Sequence, residues 1–392
     1  MRRSYKFRMR PTARQHVRLA ACLEAHRELY NAALQERREA WTRRQARVGY
    51  RDQAAQLTEI RTVRTELAMW SYSSQQATLR RLNKAFDAFF RRLKAGAKPG
   101  YPRFKSQSRF DSVAWPKDGD GARWDFDTKR IYLRGIGHVK VTAHREVLGR
   151  VKTIQIQRQG RRWMLILSCD EVPANPLPAT GRHAGLDLGI VSFATTSDGT
   201  HVDNPRWADI AARRLTGAQR RLARAKRGSN NRTRKRETVA ARHRKIANAR
   251  RDFHHKTALQ LVESYDLIVV EQLAIANMIR RAKPVRGPEP RRPFLPNGGA
   301  AKTGLNRSII DAGWGQFVAI LRAKAEDAGR ICIAVNPQHT SNCCEACRHT
   351  VRENRVTQAV FVCQACGHTA HADEQAARNI LRAGLALHAQ AA

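Results

Sequence analysis

The stretch His339-Thr-Ser-Asn-Cys343-Cys344-Glu-Ala-Cys347 is followed, after fifteen intervening residues, by Cys363-Gln-Ala-Cys366-Gly367 and then by His371-Ala-Asp373-Glu-Gln-Ala-Ala-Arg-Asn379-Ile380. A Cys-x2-Cys pair sets two sulfurs on one tight knuckle, and two such pairs supply the four soft ligands of a tetrahedral Zn2+. Cys344, Cys347, Cys363 and Cys366 are therefore expected to hold one structural zinc. The alternative is two disulfides or four idle thiols; disulfides would require an oxidising compartment, which nothing in the chain suggests. The residues after His371 read as a helix opening on Asp373, so an acidic side chain follows directly on the thiol-rich module.

Working outward, charge sets the next bound. The 392 residues carry 73 Lys+Arg against 33 Asp+Glu, a formal net charge of +40. That excess is more than solubility requires, and a polyanion is the economical partner, because Lys and Arg that neutralise phosphates release counterions. A membrane surface would call for basic amphipathic helices beside large apolar faces or lipid anchors, and none stands out. Apolar runs such as Leu267 to Val270 are too short to span a bilayer, and Met1-Arg-Arg-Ser-Tyr-Lys-Phe-Arg8 lacks the apolar core of a signal peptide. A cytoplasmic, nucleoid-associated location with no membrane partner is the expectation. Cys22, Cys169 and Cys332 lie alone in mostly apolar surroundings, as buried thiols of a reducing compartment do.

Upstream, the pattern changes several times. Tyr5 to Arg10 alternates aromatic and basic residues, predicting a short strand. Leu19, Leu23, Tyr30 and Leu34 predict a helix over Thr12 to Trp41 capped by Thr12. Further helices are expected over about Asp52 to Met69 and Ser73 to Lys94, giving a small bundle. From Ile131 to Cys169 the period is two, with turns at Asp118-Gly-Asp-Gly121 and Arg158-Gln-Gly160, which predicts an antiparallel barrel or sheet. Pro173 to Pro178 reads as a linker. Two apolar strands then each carry an acid: His183-Ala-Gly-Leu-Asp187-Leu-Gly189, with a hairpin turn at Ser197-Asp-Gly199, and Tyr265-Asp-Leu-Ile-Val-Val-Glu271. An acid in such a strand is expensive unless it is paired or metal-bound. Between them, residues 213–256 hold seventeen Lys+Arg and two acids, broken by Gly228-Ser-Asn-Asn231 into two helices. This one-sided rod is expected to face nucleic acid, with Arg220, Arg224, Arg234 and Lys245 among the contacts. Ile279 to Arg307, rich in Pro and Gly, reads as a mobile loop, Ser308 to Ala328 as one helix and Ile331 to Val335 as a strand.

The run Pro337-Gln-His-Thr340-Ser341-Asn-Cys-Cys344-x2-Cys347, then Cys363-x2-Cys366-Gly367 and Asp373-x2-Ala-Ala-x-Asn379-Ile380, closely resembles the C-terminal signature of TnpB. Members of that family are transposon-associated, RNA-guided DNA nucleases related to miniature type V CRISPR effectors. Gly185-x-Asp187-x-Gly189 resembles the first motif of the family's RuvC-like nuclease, and Tyr265 to Leu273 the second. Gln272, Arg348 and Gln375 stand where the family usually has Asp or Asn, Gly, and Asn, and Cys343 adds a fifth thiol beside the four.

The resemblance implies an α/β multidomain fold. A RuvC-like domain of RNase H type (residues 181–338 and 371–392) would be interrupted by a zinc ribbon (339–370), and a wedge β-barrel (1–11 and 97–180) by a helical recognition lobe (12–96). It implies Asp187, Glu271 and Asp373 as catalytic ligands of Mg2+ or Mn2+, two ions about 4 Å apart cleaving phosphodiesters. A guide RNA and double-stranded target DNA with an adjacent motif are the implied partners, on a monomer carrying one RNA. Ser73 and Gln76, at the head of the third helix, would lie near that motif, where a Gln can bond adenine bidentately. A compact CRISPR effector, a guided repressor that does not cut and a conventional transposase are the alternative readings.

Overall fold

The computed structural model describes residues 1–288 and 294–391, and these divide into two compact units, Met1–Pro173 and Ala174–Ala392. In the first unit, strand β1 (Arg3–Arg10) alternates buried Tyr5, Phe7 and Met9 with more exposed basic residues. It ends at Pro11, and Thr12 caps helix α1 (Ala13–Arg44) as expected. The Thr12 Oγ1 accepts from the Gln15 amide at 3.3 Å while the Thr12 amide donates to the Gln15 side chain at 3.1 Å. Helices α2 (Tyr50–Val63), α3 (Thr65–Ala68) and α4 (Tyr72–Lys94) follow. Ser71 caps α4, which begins one residue before the expected Ser73 and whose buried stripe is Leu79, Leu82 and Phe86.

The chain then returns to period two in β2 (Ser112–Trp115), β3 (Ala122–Asp125), β4 (Arg130–Leu133), β5 (Gly137–Thr142), β6 (Arg150–Gln159) and β7 (Arg162–Asp170). These form one antiparallel seven-stranded sheet in the order β2-β6-β7-β1-β5-β4-β3. The N-terminal strand therefore sits inside the sheet, between β7 and β5, with α1 to α4 inserted in sequence before β2. Phe7, Trp115, Ile131, Val139, Ile156 and Leu165 from the strands share one continuous core with Leu19, Leu34, Leu79 and Leu82 from the helices.

The second unit opens with a segment expected to be a linker, but here it is anchored. The Asn175 amide donates to the Asp327 carbonyl at 2.8 Å, the Leu177 amide to Ala328 at 3.0 Å, and Arg330 Nη2 to Pro178 at 2.7 Å. Strands β8 (His183–Asp187), β9 (Ser192–Thr196) and β10 (His201–Asp203) lead into α5 (Trp207–Ala223) and α6 (Asn230–Ser264). The expected break between these helices holds, with Ser229 capping α6. After β11 (Leu267–Glu271) come α7 (Ile275–Met278), the short pair β12 (Val285–Arg286) and β13 (Phe294–Leu295), α8 (Gly299–Ala312) and α9 (Trp314–Asp327).

The loop expected over Ile279 to Arg307 is thus shorter than its composition suggested: helix resumes at Gly299, and residues 289–293 of that stretch lie outside the described residues. The single helix expected over Ser308 to Ala328 is two, because Gly313 adopts a left-handed conformation (φ 68°) that ends α8 and caps α9. Strand β14 (Ile331–Val335), hairpin β15 (Val360–Val362) and β16 (Thr369–His371), and helix α10 (Ala372–Ala391) complete the unit.

The central sheet runs β10-β9-β8-β11-β14, with β8, β11 and β14 parallel and the β9 and β10 hairpin antiparallel. Alternation divides its faces. Ala184, Leu186, Ile268 and Val270 join Ala258, Leu261, Phe317 and Leu321 on one side, while Leu267, Val269 and Val335 join Ile380 of α10 on the other. Helix α10 lies so close to β8 that a Cβ on Gly185 would stand 2.1 Å from the Ala377 carbonyl oxygen, and one on Gly384 would stand 2.3 Å from a Val269 methyl. Gly185→Ala should therefore lift α10 and destabilise the protein by about 1–3 kcal/mol through overpacking. Denaturant unfolding of the variant against the parent checks this; an unchanged midpoint would show that the helix gives way without cost.

Candidate active site and thiol module

Period two places Asp187 on the same face as Gly185, and Glu271 on the same face as Val269, so both acids point to the α10 side of the sheet. Each is the last residue of its strand. The parallel pairing of Val270 with Leu186, carried one residue further, sets Glu271 beside Asp187. Asp373, in the first turn of α10, arrives over the same strand ends because Gly185 lets the helix down onto β8.

The electrostatics reflect this convergence. Burial, then the carboxylates of Glu271 and Asp373, push the Asp187 pKa up from 3.8 to about 7, against the opposing pull of Arg355. Burial also raises Glu271, while the Thr340 hydroxyl donates to its Oε1 and holds it back. Arg355 Nη2 donates to Asp373 Oδ1 at 2.9 Å and to the Gln358 carbonyl at 2.8 Å. Carboxylate oxygens are the hard donors that suit Mg2+ or Mn2+; Glu271 and Asp373 stand near enough to Asp187 to raise its pKa, but among the described residues the three acids are not drawn together as tightly as the four cysteines.

The four cysteines of the two knuckles also converge. All four sulfurs lie within 4.8 Å of one another, with Cys344 to Cys366 at 3.7 Å and Cys347 to Cys363 at 3.5 Å. These separations exceed an S–S bond of about 2.0 Å and approach the edge of a tetrahedron with Zn–S of about 2.3 Å, roughly 3.8 Å. The cluster therefore fits a thiolate-held ion and excludes two disulfides.

The knuckles repeat one another. The Arg348 amide donates to the Cys344 carbonyl at 3.1 Å and the Gly367 amide to Cys363 at 3.0 Å; the Cys344 amide donates to His349 at 3.0 Å and that of Cys363 to His368 at 2.9 Å. Both turns need a left-handed residue, Gly367 at φ 73° and Arg348 at φ 67°. That requirement explains why glycine suits the Arg348 position. Cys343 is outside the cluster, its sulfur 3.6 Å from Arg382 Nη2.

The module is tied to the acids through α10. Gln375 Nε2 donates to the Cys343 carbonyl at 3.0 Å, and Asn379 Nδ2 donates to Cys343 at 2.7 Å and to the Thr340 carbonyl at 2.9 Å. Thr340 in turn holds Glu271.

Three family models match the chain: "Probable transposase" over residues 166–282, "Cas12f1-like, TNB domain" over 314–380, and "Helix-turn-helix domain" over 1–46. The last stretch is here strand β1 and the single helix α1. "Putative RNA-guided DNA endonuclease InsQ" of Escherichia coli (strain K12) is 32% identical over 98% of this chain and 92% of its own length. The chain belongs to the TnpB family. A "Putative RNA-guided DNA endonuclease" of Streptomyces pristinaespiralis is 30% identical over 99% of this chain and 91% of its own length. In fold, the chain is similar to the protein in a cryo-EM structure of a Cas12f1-sgRNA-target DNA complex, with a TM-score of 0.55 at 15% identity over 93% of this chain and 82% of that one.

For a TnpB-family chain, the residues that sequence reasoning passed over are Thr340, Arg355, Gln375 and Asn379. Thr340 and Asn379 lay inside the quoted signature, but nothing in their spacing shows which backbone or carboxylate they reach. Gln375, read as a departure, does the work of a buried amide. Gln272 has an exposed side chain. Arg220, Arg224, Arg234 and Lys245 are exposed along α5 and α6. In the first unit, Ser73 donates to the Asp120 carbonyl at 3.0 Å, and the Gln76 side-chain Oε1 accepts from Tyr50 and Arg80 at 3.4 and 3.3 Å.

Because the folded pKa of Asp187 lies above its ordinary value, the folded protein binds that proton more tightly, and stability falls as pH rises from about 4 to about 7. In protein stripped of divalent ions, Asp187→Asn should remove this slope, melting at least about 2 °C above the parent near neutral pH and converging with it in acid. Parallel melting curves for parent and variant would reveal no charge crowding. Arg348→Gly should relieve the left-handed turn and stabilise the protein by about 1 kcal/mol, measurable as a higher melting temperature with metal content unchanged.

Proposed function

We propose that this chain is an RNA-guided DNA endonuclease in which Asp187, Glu271 and Asp373 form the cutting centre. The observation that carries this reading is the arrival of Asp187 and Glu271 at two neighbouring strand ends and of Asp373 at a helix start on the same face, where burial and then Glu271 and Asp373 raise the cost of ionising Asp187. The family membership supplies the guided mode, since the E. coli and Streptomyces relatives are named RNA-guided DNA endonucleases. Metal dependence follows from the donor set, and Mg2+ or Mn2+ held there would supply Lewis-acid chemistry and a more acidic water.

The chain's own residues do the rest. Thr340 fixes the Glu271 carboxylate by its hydroxyl, Arg355 restrains Asp373, and the exposed cations of α5 and α6 hold the phosphate backbones of guide and target. Zn2+ on Cys344, Cys347, Cys363 and Cys366 would keep the Thr340 segment against α10, serving structure without entering the chemistry. The seven-stranded sheet with β1 threaded through it and α1 to α4 inserted supports a wedge domain with a recognition lobe, and the mixed five-stranded sheet supports an RNase H-like RuvC core interrupted by a zinc ribbon. Gln76 is kept as a reader of the target-adjacent motif, and a monomer bound to one transposon-derived guide as the working assembly. The retained acids favour cutting over guided repression.

Protein reconstituted with the RNA of its own locus should cut plasmid at the site matching the guide, and exchanging the guide segment should move the cut. Asp187→Ala, Glu271→Ala or Asp373→Ala should each reduce cleavage at least about 100-fold while target binding, measured near physiological salt, stays nearly unchanged. Full cleavage by RNA-free protein, or by Asp187→Ala, would refute the assignment.

A further inference from the structure

Beside the carboxylates, and outside the set used above, His201, His371 and Glu374 bring one ligand atom each to within 4.8 Å of the others. We propose that these three residues form a second transition-metal site, for a borderline divalent ion such as Zn2+, separate from both the thiol module and the acid cluster.

Its construction follows from the sheet. Asp187 pairs with Thr195 across β8 and β9, and Thr195 pairs with His201 across β9 and β10, so directly opposed residues carry the acid, the hydroxyl and the imidazole on one face. His201 Nδ1 is engaged by Thr195 Oγ1 at 3.1 Å and Ser192 Oγ at 3.3 Å, which leaves Nε2 to face Glu374 Oε1 at 3.4 Å. That is how protein ligands are oriented: one ring nitrogen is held by the surroundings and the other is presented to the ion. His371 comes from the end of β16, its ring 5.0 Å from that of His201 and nearly perpendicular to it. Its Nδ1 is buried with no hydrogen-bond partner, an orphaned nitrogen that a shared cation would satisfy. A plain His201–Glu374 ion pair accounts for two of the residues but leaves His371 with nothing to do.

Two imidazoles and a carboxylate suit Zn2+, Co2+ or Ni2+ better than Mg2+. Three protein ligands also leave coordination positions open to water or a phosphate oxygen. Arg378 Nη2, 3.3 Å from Glu374 Oε2, steadies the carboxylate from its far side and moderates the affinity. An ion here would add positive charge two strands along from Asp187, with β9 between, where a nucleic-acid backbone must approach if the acids cut it. The proposal itself stands on the three ligands and does not require the nuclease reading.

The test is metal binding by the full chain. Protein treated with a mild chelator and equilibrated with Co2+ or Zn2+ should retain about two ions per chain, one of them on the cysteines and marked by thiolate-to-cobalt charge-transfer absorption. His201→Gln and Glu374→Gln should each weaken the second ion at least about tenfold while the charge-transfer band, which reports an intact fold, persists. Asp187→Asn should keep both ions. A parent that binds only the cysteine ion, His201→Gln and Glu374→Gln proteins that both bind like the parent, or loss of the second ion in Asp187→Asn would overturn the proposal. The last result would place that ion in the acid cluster instead.

Discussion

Everything in the second unit depends on one backbone approach. Helix α10 rests directly on β8 because Gly185 has no side chain to keep it away. A side chain there would push α10, and Asp373 at its start, away from the strand ends that carry Asp187 and Glu271. The glycine and the first acid are two residues apart on one strand face, so a single alternation sets both the packing and the chemistry. The like charges that result are unfavourable in themselves, and the fold tolerates them because the sheet, α10 and the thiol module fix the acids from three directions.

The sequence was most legible where chemistry and periodicity coincide. Cys344, Cys347, Cys363 and Cys366 announced their cluster by spacing alone, and the apolar runs before Asp187 and Glu271 marked strands whose acids had to be engaged. That the two acids face the same side follows from counting by two; that they lie side by side required the register of β8 against β11, which no local pattern encodes. Arg355 and Thr340 were illegible for the same reason. Thr340 reaches an acid 69 residues back and Arg355 one 18 residues on, both through tertiary contacts, and an Arg among 73 Lys+Arg residues carries no mark of its partner.

Backbone punctuation misled in both directions. Gly298 and Gly299 looked like loop, yet helix α8 begins there, with Asn297 Oδ1 accepting the Gly299 amide at 3.1 Å. The stretch Ser308 to Ala328 read as one helix, but the left-handed conformation of Gly313 within it makes two. Pro173 to Pro178 does mark the boundary between the units, as a linker should, but its Asn175 and Leu177 amides and Pro178 carbonyl are held by the end of α9 and by Arg330. In each case composition reported what the backbone could do, and tertiary hydrogen bonds decided what it did.

The order in which the acids occur along the chain has a consequence for biosynthesis. Asp187 and Glu271 lie on neighbouring parallel strands, but Asp373 follows the whole thiol module and β16. A ribosome extends the chain through strands and basic helices long before the third acid emerges. The basic helices α5 and α6 are therefore synthesised well before the third acid joins the other two. Under the proposed function, translation would order the events: the surface for the guide would be made first, and the cutting centre would be complete only with α10.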